Sequence, residues 1–131
     1  MKDQITGIGG IFFRSKDVDR LKNWYIENLG MEMESWGKIF SWRDYSNPEI
    51  PGSTTWSPFK DETDYFGNSG QQYMINYRVR DLEALLESLS RKGIEVVKKM
   101  EVLDYGKFAW IEDCDGVRME LWEPKDEAFG L

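Results

Sequence analysis

Two stretches of this chain match one another in order, and a chain that repeats itself is built from two copies of one supersecondary unit. Gly10-Ile-Phe-Phe-Arg-Ser-Lys-Asp17 aligns with Met74-Ile-Asn-Tyr-Arg-Val-Arg-Asp81, which sets Ile11 on Ile75, Phe13 on Tyr77, Arg14 on Arg78 and Asp17 on Asp81, a shift of 64. Val18 and Leu21 then fall on Leu82 and Leu85. Further along, Phe40-Ser-Trp42 matches Phe108-Ala-Trp110 at a shift of 68, and Trp56-Ser-Pro58 matches Trp122-Glu-Pro124 at a shift of 66. Small loop insertions account for the changing offset.

Each half reads as a strand, a helix and three more strands. In the first, the apolar run Ile8 to Arg14 is followed by Asp17, a residue whose carboxylate caps a helix by accepting a backbone N–H. Val18, Leu21, Trp24, Tyr25 and Leu29 recur at helical spacing, and Gly30 supplies the stop. Met31 to Trp36, Ile39 to Tyr45 and Ser53 to Phe59 read as strands. In the second half Tyr73 to Val79 is the strand and Asp81 the cap. Leu82, Leu85, Leu86 and Leu89 form the helix stripe, closed by Gly93. Strands follow at Glu95 to Leu103, Lys107 to Glu112 and Arg118 to Trp122, with Asp115-Gly116 as the hairpin turn. The expectation is one α+β domain: module one at 5–59, a linker at 60–71, module two at 72–124 and a tail at 125–131. At 131 residues the chain suits one domain rather than two.

Composition narrows the chemistry. There is no histidine among the 131 residues, which excludes Ser-His-Asp and Cys-His catalysis and metal sites built on imidazole. The net charge of −7 and the lack of any Lys/Arg-rich window argue against nucleic acid. No apolar run has the roughly 18 residues of a membrane span, and Met1-Lys2-Asp3 opens no signal stretch. One cysteine, Cys114, fits a reducing cytoplasm, the expected location. It stands beside a turn with no base near it in sequence, which gives a nucleophilic role little support. Aromatic residues make up 15% of the chain, six of them Trp, so aromatic surfaces are what the chain has to recognise with.

Two βαβββ halves, the Leu29-Gly30 pair after the first helix and the closing Asp113-Cys-Asp-Gly-Val-Arg-Met-Glu-Leu-Trp-Glu-Pro124 stretch resemble the vicinal oxygen chelate superfamily, the group of glyoxalase I, bleomycin-resistance proteins and extradiol dioxygenases. The resemblance covers nearly the whole chain, with Cys114 where that family often has Pro. It implies two tandem βαβββ modules forming a curved mixed sheet around a cup, usually in a homodimer. Metal-dependent relatives place a ligand on the first and last strand of each half. Carried onto this chain those positions are Gly10, Thr54, Met74 and Glu120, of which Glu120 alone brings charge. A first-row ion needs three or four strong ligands, so no metal or other cofactor is expected. A divalent metal is the alternative.

Side chains two apart on a strand share a face. Counting from those four positions gives the expected cup lining: Phe12, Arg14, Thr54, Trp56, Met74, Asn76, Arg78 and Trp122, to which Trp110 is added as an aromatic wall, with Glu120 as the candidate catalytic residue. Phe40, Trp42 and Phe108 are candidate walls. Each has a plainer reading. Glu120 is a general base or ligand anchor, or else a family relic salt-bridged to Arg14 or Arg78. The arginines are carboxylate clamps or surface ion pairs, and any one Trp is a ligand wall, core or dimer interface. The Trp56-Ser57-Pro58-Phe59 segment with Asp64-Tyr65-Phe66 is a lid over the cup or an arm on a second subunit. Two functions follow: a metal-free binder of a small organic molecule, cationic or aromatic, like the bleomycin-resistance proteins; or a lyase or isomerase using Glu120 as base. An extradiol-type dioxygenase fits least, for want of imidazole.

Overall fold

The structure is a computed structural model and describes residues 3–130, without the Phe129 side chain. Met1 and Lys2, at the start read for a signal stretch, and Leu131 of the tail lie outside the described residues. Asp17 and Asp81 both act as anticipated. The Asp17 carboxylate accepts from the Arg20 N–H and opens α1 (Val18–Leu29), and that of Asp81 accepts from the Ala84 N–H and opens α2 (Leu82–Arg91). Gly30 ends α1 in the left-handed region at φ 64°, a conformation that costs glycine nothing. α2 ends at Lys92, with Gly93 following at φ 82°.

The strands are β1 (Ile5–Ser15), β2 (Lys38–Arg43), β3 (Pro51–Lys60), β4 (Tyr73–Val79), β5 (Lys98–Leu103), β6 (Gly106–Glu112) and β7 (Arg118–Pro124), with a short 3-10 turn at Asp126–Phe129. They form one mixed sheet in the order β2-β3-β1-β4-β7-β6-β5. β1 and β4 run antiparallel at its centre with Ile11 opposite Ile75. Each lies parallel to the last strand of its own half, β1 to β3 and β4 to β7. The two halves therefore meet about a pseudo-twofold axis, and the sheet curls into a cup with both central strands in one chain.

One expected strand is missing. Met31 to Glu34 alternates apolar and acidic residues, the period of a strand, but the segment from Met31 to Trp36 forms no ladder. Its backbone is tied instead by lysines, Lys22 Nζ to the Ser35 carbonyl at 2.5 Å and Lys38 Nζ to that of Glu32 at 3.3 Å. Glu34 and Gly37 then close a turn on each other. Alternation describes any extended segment; only a paired neighbour makes it a strand. The first half is thus βαββ, the second βαβββ.

Opposite faces of the sheet carry different cores. On the helix side Val79, Leu82, Ala109, Ile111 and Leu121 are buried, with Leu85, Leu86 and Leu89 of α2 packed on them. On the cup side Phe12, Phe66, Met74, Phe108, Trp110 and Trp122 are buried together. α1 is held more loosely, since none of its residues is buried and Trp24 stays 54% exposed. This difference predicts unequal cap effects. Asp81→Ala should cost about 1 kcal/mol in urea unfolding, because α2 is anchored to the core through Leu82. Asp17→Ala should show mainly as faster amide exchange in the first turn of α1, with a smaller global cost.

Candidate functional site

Glu120 is the centre of the cup. It is 2% exposed, in the middle of β7, opposite Asn76 of β4 on one side and Trp110 of β6 on the other. All three side chains point to the same face. Asn76 Nδ2 donates to Glu120 Oε1 at 2.5 Å, and Trp110 Nε1 donates to Oε2 at 2.9 Å. The third donor is the Tyr65 hydroxyl, which also reaches Oε2. Burial raises the Glu120 carboxyl above the usual carboxylate range; the Tyr65, Asn76 and Trp110 hydrogen bonds and the nearby Lys98 charge only partly oppose it. The Tyr65 phenol is pushed well above its ordinary value, first by burial and then by the Glu120 charge. It therefore stays a donor.

Tyr65 was not among the expected lining residues. It comes from the segment between the modules, and the Asp64-Tyr65-Phe66 signal left open whether that segment covers the cup or reaches a second subunit. Here it enters the cup of its own chain: Phe66 is fully buried, and the Tyr65 ring stacks on Phe59 with centroids 5.4 Å apart. Arg14 holds the segment in place. Its Nε donates to the Gln71 carbonyl and its Nη1 to those of Asp61 and Thr63, while the guanidinium lies over the Phe66 ring.

The cavity beside Glu120 is about 480 Å³ and is walled mainly by rings. Phe108 and Trp122 stack nearly parallel, 9° apart; Phe12, Phe59 and Trp36 also line it. Of the expected lining residues, Phe12, Asn76, Trp110, Glu120 and Trp122 face this space. Met74 is buried within the cup-side core beneath it. Arg78 is drawn away: Nη2 makes two 2.8 Å contacts to the Asp126 carboxylate, and its guanidinium is sandwiched between the Trp42 and Trp122 rings. Both arginines thus serve the fold, and the salt bridge from either to Glu120 is replaced by three neutral donors.

Thr54 and Trp56 stand elsewhere. Trp56 packs against Phe13 and against Tyr25 of α1, on the helix side. Thr54 takes the Trp42 Nε1 hydrogen bond and donates to the Ile8 carbonyl. Their neighbours Thr55 and Phe59 line the cavity instead. The pairing of strands explains the slip. Glu120 lies opposite Asn76; the repeat mate of Asn76 is Phe12, and Phe12 lies opposite Ser57. The true mate of Glu120 is therefore Ser57, and that of Trp122 is Phe59, a shift of 63 where the Trp-x-Pro match gave 66. An error of three residues is odd, so it turns side chains to the other face. Phe40, matched to Phe108, is likewise off the cavity and 43% exposed, while Ile39 faces it.

The four positions where metal-dependent relatives hold their ion are then Gly10, Ser57, Met74 and Glu120. Ser57 Oγ already donates to the Trp36 carbonyl, Gly10 has no side chain, and the Met74 thioether is a poor ligand for hard cations. This donor set does not fit a divalent ion. Among the described residues no three acidic, cysteine or histidine side chains gather elsewhere to hold one. Cys114 is exposed on its turn, away from this chemistry.

A curved mixed sheet of paired βαβ-type halves around a cup defines a class of protein. Residues 7–121 match the Glyoxalase/Bleomycin resistance protein/Dioxygenase superfamily, and the chain belongs to it. Its fold is similar to that of methylmalonyl-CoA epimerase from Mycobacterium tuberculosis, with a TM-score of 0.67 and 17% identity over 100% of this chain and 96% of that one. The methylmalonyl-CoA epimerase of Streptomyces coelicolor in complex with 2-nitronate-propionyl-CoA gives 0.66 and 17% over 92% and 98%. At such identity the likeness is one of fold.

Proposed function

We propose that this protein binds a small organic molecule in its aromatic cup without a metal, and that it does so as a cytoplasmic homodimer. The observation that supports this most is the state of Glu120. It is a single buried carboxylate at the floor of a ring-walled cavity, and its direct partners Tyr65, Asn76 and Trp110 are all neutral donors. A buried anion whose hydrogen-bond partners are all neutral is costly. Lys98, over the Trp110 ring, offsets part of that cost, and a positively charged ligand would offset more of it while stacking on the remaining Trp and Phe faces. Glu101 at the rim adds to the negative potential. Pairing of two copies is supported by the apolar side chains left outside, among them Trp24, Ile26 and Leu29 of α1 and Ile8 of β1.

Titration with proflavine, a flat aromatic cation, should quench the cup tryptophans saturably with one molecule per chain. Absence of saturable quenching by any aromatic cation would remove this reading. Light scattering on the same sample reports the number of chains.

A second reading, a lyase or isomerase with Glu120 as general base, is favoured by one observation: burial holds that carboxyl above the ordinary range, where a base works better near neutral pH. Asn76 would then polarise a substrate carbonyl through the second N–H of Nδ2, the first being held by Glu120 Oε1. Incubation with methylmalonyl-CoA, the substance in the names of the similar structures, separates the two readings. Exchange of its α-proton in deuterium oxide, lost in Glu120→Gln, would establish the enzyme.

A further inference from the structure

Asn76 has one more polar atom than its neighbours use. Its Nδ2 is committed to Glu120 Oε1 at 2.5 Å, and this fixes the orientation of the amide, since the reverse would set two oxygens against each other. Oδ1 is then left buried with no hydrogen-bond partner in the protein, in a residue 2% exposed. Such an orphan is rare in a folded interior and calls for a partner. The atom lies against Gly9, and both residues line the cavity. A Cβ on Gly9 would collide with Oδ1 and crowd the Trp122 ring and the Arg78 stem, so only glycine fits against this oxygen. Beside it, Glu120 Oε1 receives one hydrogen bond, from Asn76, and a carboxylate oxygen has room for a second.

We infer that the cup recognises a flat ring bearing adjacent N–H donors at one end, as in an aromatic amidine or an amino-substituted nitrogen heterocycle, with one N–H on Asn76 Oδ1 and another on Glu120 Oε1. This rests on the binding reading above and sharpens it, because cation–π attraction alone is satisfied by a quaternary ammonium that has no proton to give. Here the orientation of the ligand is set by donors. Phe12, Phe59, Phe108 and Trp122 line the cavity with the Glu120–Asn76 pair, so the ring of the ligand packs on these faces with its donor end at the pair.

Three probes of one size test this by quenching of tryptophan fluorescence: 2-naphthamidine, trimethyl(2-naphthyl)ammonium and 2-naphthoate. The amidine is expected to bind at least about tenfold more tightly than the quaternary ammonium, the worth of a hydrogen bond to a charged group, and naphthoate weakest of all. In Gly9→Ala, whose methyl would press directly on Oδ1, the advantage of the amidine should fall; thermal melting of that variant shows whether it is folded. Equal affinity for amidine and quaternary ammonium would overturn the donor inference and leave the aromatic cup standing. Failure of all three probes would overturn the binding reading and the inference with it.

Discussion

Replacing Arg78 with alanine should destabilise the protein by about 3 kcal/mol, the lower end of what breaking a buried ion pair costs. The Arg78 side chain is 5% exposed and that of Asp126 21% exposed, so water reaches the acid but hardly the base. That asymmetry is the reason for choosing the lower end. Two contacts of 2.8 Å tie Nη2 to Asp126, and the guanidinium lies 5.3 Å from the Trp42 ring and 5.2 Å from the Trp122 ring. Trp42 reaches this position only because Gly52 and Gly7 lie beneath it; a Cβ on Gly52 would strike its six-membered ring. Removing Arg78 therefore loses an ion pair, two ring contacts and the packing of its own stem. Arg78→Met, which keeps the stem, should recover part of the loss. Asp126→Asn should cost less, about 1 kcal/mol, as its short 3-10 turn is peripheral. Urea unfolding followed by circular dichroism measures all three. A loss under 1 kcal/mol for Arg78→Ala would mean that the sandwich contributes nothing net.

Arg78 also shows where sequence reading stops. That Arg14 and Arg78 occupy equivalent places was legible from the repeat. Which anion or carbonyl each would meet was not, because Asp126 and the Asp61–Gln71 segment come from irregular chain with no period to read. The strands at the centre and the two capped helices were legible for the opposite reason. Alternation in Tyr73–Val79 and the Asp17 and Asp81 caps are local signals, and tertiary packing agrees with them. At Met31–Trp36 the same alternation misleads, since what decides a strand is a ladder partner and none is paired there. The Trp56 match misleads more instructively. Trp-x-Pro occurs in both halves, yet its two tryptophans lie on opposite faces of the sheet, and only the β1–β3 and β4–β7 pairing reveals the three-residue slip. Glu120 survives this correction because it was placed by the closing motif rather than by the repeat. Tyr65 had a weaker signal, an aromatic pair in a polar linker, which says that something is buried without saying where.

The largest functional effect is expected from Glu120→Gln, and it should move stability and binding in opposite directions. In the wild type, burial raises the carboxyl above its ordinary 4.5, against the pull of Tyr65, Asn76, Trp110 and Lys98. An acid whose folded value is raised holds more protons in the native than in the unfolded state between those two values. Stability from this group is therefore fully present below the unfolded value and is lost as pH rises through the folded one. Glutamine carries no charge to desolvate. Its carbonyl can accept from Tyr65 and Trp110, and its amide can donate to Asn76 once that side chain turns end for end. The variant should gain stability relative to the wild type as pH climbs above about 4.5, with the difference vanishing in acid. Taking the difference between the two proteins removes contributions common to both, such as that of exposed Asp44, whose carboxyl is lowered mainly by the Ser46 hydroxyl and so acts with the opposite sign. Over the same pH range affinity for 2-naphthamidine should fall by about tenfold or more, because the anion that complements it is gone. A carboxylate kept only for folding would give no such trade. If the variant binds the amidine as well as the wild type does, or if the stability difference is flat across pH, Glu120 is not the charged floor of a ligand site.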